Sequence, residues 1–285
     1  MLVSIYMPTK NRLASLQLAI NSVLSQSYND IELLVVDDGS TDGSREYLLQ
    51  LQKDEPRVKV FLNDKSRGAC YSRNVAIKAA SGDFITGLDD DDEFLPSHIE
   101  ALVDYWHFLT KYSDEPVSAI YTNFLSRQPQ GVCKIRKRNR VTFSDLYSAN
   151  QVGNQMFAPT SHFRIAGLFD EEMPAWQDLE FFFRILKKFG DARLMDLHTY
   201  VFDEMPREDR ISSGKKQRIM QAYKLMSMKH AENSVDSQRL YIQMFSSHYN
   251  FPINLIDLIN FMKIGFWFSG YKQMIGRYIR RNFLK

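Results

Sequence analysis

Five adjacent acids, Asp89, Asp90, Asp91, Asp92 and Glu93, are the stretch of this 285-residue chain best suited to chemistry. Neighbouring carboxylates repel one another, and such a run is most often a solvated turn or a tail. This one follows the apolar residues Phe84, Ile85 and Leu88 and precedes Pro96-Ser97-His98, so the chain turns here between a buried strand and a helix. Carboxylates at the carboxyl end of a strand in an α/β sheet lie in the crevice where such sheets bind ligands. A hard divalent cation offsets their repulsion. Mg²⁺ or Mn²⁺ held by one or two carboxylates plus diphosphate oxygens meets that need.

The elements that must position these acids are legible upstream. Leu2–Met7 and Ile31–Val36 are apolar runs with the character of buried strands, and Val58–Leu62 is a third. Between them, Leu13–Ser25 carries apolar residues at 13, 16, 20, 23 and 24, the spacing of one helical face. Helices are expected over Ser44–Gln52 and Ala69–Ala79, with Asp37 to Asp42 as a turn and N-cap cluster. Alternating strands and helices imply a parallel sheet covered on both faces. Its carboxyl edge would carry Pro8-Thr9-Lys10-Asn11-Arg12, Asp37-Asp38 and Asp89 to Asp92. The glycine fingerprint of dinucleotide enzymes and the Walker lysine loop are both missing. A nucleotide bound at that edge must be held by side chains and a metal.

Composition agrees with a globular protein, at 44% hydrophobic and 25% charged residues. The net charge of +2 says little, but its distribution is uneven: bases gather at 134–140 and after 263. Cys70 and Cys133 make no disulfide framework and have no metal-ligand spacing, which suits inert thiols in a reducing compartment. Met1-Leu-Val-Ser-Ile-Tyr-Met lacks the basic start of a signal peptide, and no apolar run approaches the roughly 20 residues of a membrane span. A cytoplasmic protein is expected.

Four segments then carry a resemblance: Ser4-Ile-Tyr-Met-Pro-Thr-Lys-Asn-Arg12, Val35-Val-Asp-Asp-Gly-Ser-Thr-Asp42, Gly68-Ala-Cys-Tyr-Ser-Arg-Asn74 and Gly82-Asp-Phe-Ile-Thr-Gly-Leu-Asp-Asp-Asp-Asp92. In this order they resemble the successive signatures of family 2 glycosyltransferases, inverting enzymes that use nucleotide-sugars. The resemblance implies the GT-A fold: α/β, Rossmann-like, with a mostly parallel sheet flanked by helices. It is closest in character to bacterial enzymes of surface polysaccharides such as O-antigen, a part of lipopolysaccharide, and colanic acid. By it, Pro8, Thr9 and Arg12 line the nucleotide pocket, Asp37 bonds the uracil ring of a UDP-sugar and Asp64 lies near the base. Asp38 caps the next helix, and Arg73 faces the diphosphate. Asp89 and Asp91 match the metal-binding Asp-x-Asp pair; a one-residue shift of register would give Asp90 or Asp92 either role, and Asp90 also counts among the donor-binding residues.

Farther along, helices are expected over Pro96–Lys111 and from Asp178, and strands over Ala119–Leu125 and Val132–Arg138. Asn150–Phe157 reads as a polar loop or short strand against the active site. Read from the residues, Asp178 is a helix N-cap. By the resemblance it is the catalytic base, preceded by Gln177 where the family commonly has glutamate, with Trp176 beside it as a wall for a sugar ring or as ordinary core. The resemblance also offers Asp203 as a further metal ligand in place of a histidine, and Arg207 or Arg210 on a loop over the donor.

Residues 215–249 read as two helices, and the remainder is set apart by its bases. Lys263, Lys272, Arg277, Arg280, Arg281 and Lys285 follow the last acid, Asp257. Ile264, Trp267, Phe268, Tyr271, Ile275 and Tyr278 recur on one face, so the tail reads as an interfacial helix on anionic lipid. Packing on its own domain, or on a second copy in a homodimer, is the competing reading. The expected organisation is a catalytic domain over 1–213, divided into a nucleotide-sugar half (1–95) and an acceptor half (96–213), with a helical extension over 214–285. The resemblance implies transfer from a nucleotide-sugar to a polyprenyl-diphosphate-linked glycan at the inner face of the membrane, with a divalent metal. Nucleic acid is not expected as a partner, because no recognition module accompanies the basic run. The rivals are a non-catalytic sugar-binding subunit and a metal-dependent nucleotidyltransferase or phosphohydrolase.

Overall fold

A computed structural model describes residues 1–205 and 216–283 of the protein. It divides into two compact units: Met1–Thr142 with Gln151–Glu171 and Arg184–Pro206, and Phe143–Asn150 with Glu172–Phe183 and Arg207–Lys285.

The first unit opens with β1 (Val3–Thr9), α1 (Leu13–Leu24), β2 (Ile31–Asp37), α2 (Ser44–Asp54), β3 (Val58–Leu62), α3 (Ala69–Ala79) and β4 (Phe84–Gly87). These strands pair in parallel in the order β3-β2-β1-β4, as the alternation of strand and helix implied. β1 and β2 are apolar almost throughout because both faces are covered. Leu16, Ala19, Ile20 and Val23 of α1 join Val3, Ile5 and Met7 in one core. Tyr6, pointing the other way, packs its ring 6.2 Å from those of Phe163 and Phe169. The carboxyl ends of β1, β2 and β4 therefore open on one edge.

The chain continues with β5 (Glu93–Phe94), α4 (His98–Tyr112), β6 (Val117–Gln128), β7 (Gly131–Ile135), β8 (Arg140–Val141), a 3₁₀ turn over Phe143–Tyr147, β9 (Ala158–Pro159), α5 (Thr160–Ile165), α6 (Gln177–Phe189) and β10 (Asp191–Asp203); of these, β5, β10, β6 and β7 form a second sheet, with β8 paired to β10. β9 extends the first sheet, antiparallel to β4, and β10 lies between β5 and β6. The sequence pattern does not announce β10. Its pairing with β6 shifts register between Met195 and His198, so exposed Asp196 and Leu197 break the alternation. The second unit contains α7 (Lys216–His230), α8 (Ser234–Gln243), α9 (Leu255–Ile264) and α10 (Phe268–Phe283). The expected single tail helix is thus two, broken at Gly265 and not at Gly270 or Gly276. Gly270 is buried inside α10, where a Cβ would come within 2.1 Å of the Trp267 ring.

At the amino edge of the first sheet, Glu32 ties three strands together. It accepts from Ser4 Oγ at 2.6 Å, Lys59 Nζ at 2.7 Å and the Ser81 and Gly82 amides at 2.6 and 3.1 Å. Burial alone would raise its carboxyl, but these donors hold it down at about 2. Its stabilising contribution is therefore present above its ordinary pKa of 4.5 and is lost as pH falls from there toward 2. Glu32→Gln should lower the unfolding free energy at neutral pH by about 2 kcal/mol. Denaturant titrations across the acid range should show the difference from the parent protein shrinking as that carboxyl protonates.

Candidate active site

The acid run is held from three sides within the first unit. Thr9 Oγ1, at the end of β1, donates to Asp90 Oδ2 at 2.8 Å. Arg12 Nη1, just before α1, donates to Asp90 Oδ1 at 2.9 Å and Asp91 Oδ2 at 3.0 Å. From α3, Arg73 Nη2 donates to Asp89 Oδ1 at 2.9 Å, its guanidinium carbon 5.3 Å from the centre of the Phe169 ring. From β10, Tyr200 Oη donates to Asp92 Oδ2 at 2.6 Å, and the Asp203 amide donates to Asp92 Oδ1 at 2.9 Å. Asn154 Nδ2 adds a bond to Asp92 Oδ2 at 3.0 Å, and Gln155 Nε2 reaches Asp89 Oδ1 at 3.4 Å. Gly87 makes that approach possible, because a Cβ there would lie 2.0 Å from Gln155 Oε1.

The run alternates in character. Asp90 and Asp92 are buried, whereas the side chains of Asp89 and Asp91 are 24% and 17% exposed. Burial pushes the Asp90 carboxyl up to about 6 against the pull of Arg12. Burial, with the charges of Asp89 and Asp91 beside it, pushes Asp92 well above the usual carboxylate range. Burial and the nearby Asp92 likewise raise the Tyr200 hydroxyl. The two inward acids secure the turn, and the two outward ones keep part of their surface open to solvent.

Among the described residues no three carboxylate, imidazole or thiolate groups converge as a ready-made metal cage. The turn instead offers two partly exposed carboxylates, an all-oxygen donor set. It fits a hard divalent cation that completes its shell with water and phosphate oxygens. Arg12 and Arg73 beside it are suited to bidentate phosphate contacts. Asp203 is brought to the cluster by its amide, while its Oδ1 accepts from the Met205 amide at 2.8 Å.

Asp37 and Asp38 divide in the same manner. Asp37 is fully buried; its Oδ1 accepts from the Gly39 and Ser40 amides at 3.1 Å each and lies 3.5 Å from Arg45 Nε. Its Oδ2 is buried with no hydrogen-bond partner among the described residues. Such an atom costs about 1–3 kcal/mol, which an N–H donor from a ligand would relieve. Asp38 does not cap α2 as expected, since the α2 N-cap is Gly43. It turns instead to the loop before α3, accepting from Asn63 Nδ2 at 2.8 Å, Ser66 Oγ at 2.6 Å and the Arg67 and Gly68 amides at 2.8 and 2.9 Å. Against burial, these bonds hold its carboxyl below the usual range. Asp64 is exposed on that loop, and Pro8 sits within β1 opposite Val36.

In the second unit, Asp178 is the second residue of α6, within the helix's first turn instead of capping it. A carboxylate there is favoured by the helix dipole. Trp176 adopts a left-handed φ of 59°, rare for a bulky side chain, and its Nε1 donates to Tyr249 Oη at 2.9 Å. Glu180, two residues past Asp178, is buried 3.1 Å from His230 Nε2. Arg207 and Arg210 lie outside the described residues. Of the basic run, Lys137 Nζ donates to the Val152 carbonyl at 2.7 Å and Arg140 pairs with Glu115 at 2.9 Å. Lys134, Arg136 and Arg138 are exposed. Sequence reading missed Tyr200 and Ser66; neither follows a motif, and their partners lie 108 and 28 residues away.

The family model described as "Glycosyl transferase family 2" matches residues 4–169. A protein of Escherichia coli strain K12 named for colanic acid biosynthesis glycosyl transfer is 33% identical over 221 residues, 75% of this chain and 77% of that one. An E. coli protein named UDP-Glc:alpha-D-GlcNAc-diphosphoundecaprenol beta-1,3-glucosyltransferase is 42% identical over 99 residues, covering 35% of this chain and 38% of the relative. Among solved structures, S. aureus TarS 1-349 with UDP-GlcNAc aligns with a TM-score of 0.66 at 19% identity, over 99% of this chain and 81% of that one. A Pyrobaculum calidifontis mannosyltransferase with GDP-Man and Mn²⁺ aligns with a TM-score of 0.60 at 16% identity, over 99% and 87%. At these identities the structural likeness establishes the GT-A-like fold.

Asp38→Ala should release the Asn63–Gly68 loop without unfolding the sheet. Hydrogen exchange at the Arg67 and Gly68 amides should rise by roughly tenfold or more, the equivalent of losing a bond to a charged acceptor, while the amides of β1 keep their protection.

Proposed function

Because the chain belongs to glycosyl transferase family 2, we propose that this glycosyltransferase moves a sugar, with inversion, from a UDP-sugar to a hydroxyl of a lipid-linked glycan at the cytoplasmic face of the membrane. The observation that carries the donor side is the alternation of the acid run, with Asp89 and Asp91 partly exposed between two guanidinium groups. Asp89 and Asp91 would hold a Mn²⁺ or Mg²⁺ ion, which when bound supplies positive charge to the departing diphosphate. Arg12 and Arg73 would exchange part of their carboxylate contact for phosphate oxygens. The buried Asp37 Oδ2 would accept from the imide N–H of uracil, with Pro8, Thr9 and Asp64 near the nucleotide. Asp90 would hold Thr9 and Arg12 in register for that contact, and Asp203 would offer a further oxygen to the cation. The UDP donor and the diphosphoundecaprenol-linked acceptor in the name of one E. coli relative support this choice of substrates.

On the acceptor side the proposed base is Asp178. Its carboxylate takes the proton of the acceptor hydroxyl while that oxygen bonds to the anomeric carbon. The bond from that carbon to the diphosphate oxygen breaks on the opposite face, and configuration inverts. We take residues 1–213 as the catalytic domain and 214–285 as its helical extension.

Asp178→Asn should lower turnover by ~10²–10⁴-fold, the usual contribution of a general base, with donor affinity by calorimetry unchanged. Undiminished turnover would remove Asp178 from the role. Asp89→Ala should abolish the Mn²⁺-dependent part of UDP binding in the same assay. Incubation with UDP-, GDP- and dTDP-sugars, and in parallel with nucleoside triphosphates plus a sugar phosphate, separates the reaction classes: nucleoside diphosphate release from a sugar donor supports transfer, and pyrophosphate release from a nucleoside triphosphate would favour a nucleotidyltransferase.

A further inference from the structure

Helices α9 and α10 hold the largest apolar exposure of the second unit. Ile256, Ile259 and Met262 of α9, Phe266 at the corner, and Phe268 and Ile275 of α10 are each 45 to 77% exposed. At about 100° per residue, the three α9 side chains fall within about 120° of arc, and Lys263 lies in the same arc. On α10, Phe268, Lys272, Ile275 and Ile279 fall within about 60°. The opposite face of α10 is occupied. Gly270 and Met274 are buried there, and Arg277 Nη1 donates to the Ile242 and Phe245 carbonyls at 2.8 Å each. Arg281 Nη2 donates to the Phe245 and Ser246 carbonyls at 3.0 and 3.1 Å.

The bases of the tail therefore serve two ends. Arg277 and Arg281 fasten α10 to the end of α8 and the loop after it. Lys263, Lys272 and Arg280 are exposed, and the Lys272 ammonium lies 4.6 Å from the Phe268 ring centre. From residue 255 to 283 the one acid, Asp257, is buried and paired with Lys216 at 2.6 Å. This surface thus presents apolar side chains and positive charge with no exposed acid. No described helix is long and apolar enough to cross a membrane.

We propose that the exposed stripes of α9 and α10 seat the protein on the surface of an anionic lipid bilayer, with Phe266 and Phe268 entering the acyl boundary and Lys263 and Lys272 at the headgroups. A helix with one apolar and one polar face lies in the plane of the interface in this way, and each base near anionic headgroups adds attraction. The charge selects lipid over a second copy. A two-fold interface presents the same patch from both sides, so it would bring these lysines against one another without an acid to pair them. This inference rests on the two helices and is independent of the donor chemistry.

Full-length protein should sediment with vesicles of phosphatidylglycerol and phosphatidylcholine, less with phosphatidylcholine alone, and less as salt rises. Lys263→Gln and Lys272→Gln should each weaken the partition coefficient by about fivefold. Phe266→Ser should weaken it by roughly tenfold with an unchanged melting temperature, as the side chain is exposed. All three variants should keep donor hydrolysis in lipid-free buffer, so a failure of the transferase reading is seen separately. Vesicle binding that is absent, or equal in parent and variants, overturns the proposal. So does a dimer in sedimentation velocity that Phe266→Ser dissociates while vesicle binding persists.

Discussion

Four aspartates in succession repel one another in a partly buried turn, and the site depends on how that repulsion is relieved. Side-chain direction divides them. Asp90 and Asp92 turn inward, where Thr9, Arg12, Tyr200, Asn154 and the Asp203 amide meet them. Burial pushes their carboxyls upward, against the hydrogen bonds that answer their charge. Asp89 and Asp91 stay partly exposed, beside Arg73 and Arg12. The same inward bonds draw β1, β10 and the 154–155 segment onto the turn. A solvated acidic loop would have no need of such partners.

The same division of neighbours recurs elsewhere. Asp37 and Asp38 are adjacent and both buried, yet one leaves an oxygen unsatisfied while the other is saturated by the loop before α3. An unsatisfied buried oxygen is a cost in the free protein, tolerated where a ligand removes it. Asp38 lowers the conformational freedom of a loop that borders the same edge. In the tail, Arg277 and Arg281 satisfy backbone carbonyls at helix ends, where lone acceptors would otherwise be buried, and the remaining bases stay at the surface.

The amino edge of the sheet answers the carboxyl edge. Glu32 collects donors from β1, β3 and the turn before β4, fixing the strands from which the functional loops emerge. Unlike that of Asp90, its carboxyl is held down despite burial, because an ammonium group and several short bonds outweigh desolvation. Opposite outcomes for two buried carboxylates follow from the number of donors each can gather.

By itself the sequence determined the order of strands and helices through residue 88, since apolar runs and helical spacing there are governed by contacts within each element. It also determined which side chains reach the carboxyl edge, because parallel strands put their following loops together. Four segments in order were enough to indicate the family. What only the tertiary structure decided was the fate of each acid and base within a run. Asp89 and Asp90 look alike in sequence, and only the approach of Arg73 on one side and Thr9 on the other tells them apart. The bulged strand β10 escaped notice because its alternation is broken where register shifts against β6, and its Tyr200 meets Asp92 across 108 residues. The break at Gly265 and the inward turn of Arg277 and Arg281 likewise follow from packing on α8. Periodicity records which residues share a face; whether that face meets protein, ligand or solvent is set by partners far away in the chain.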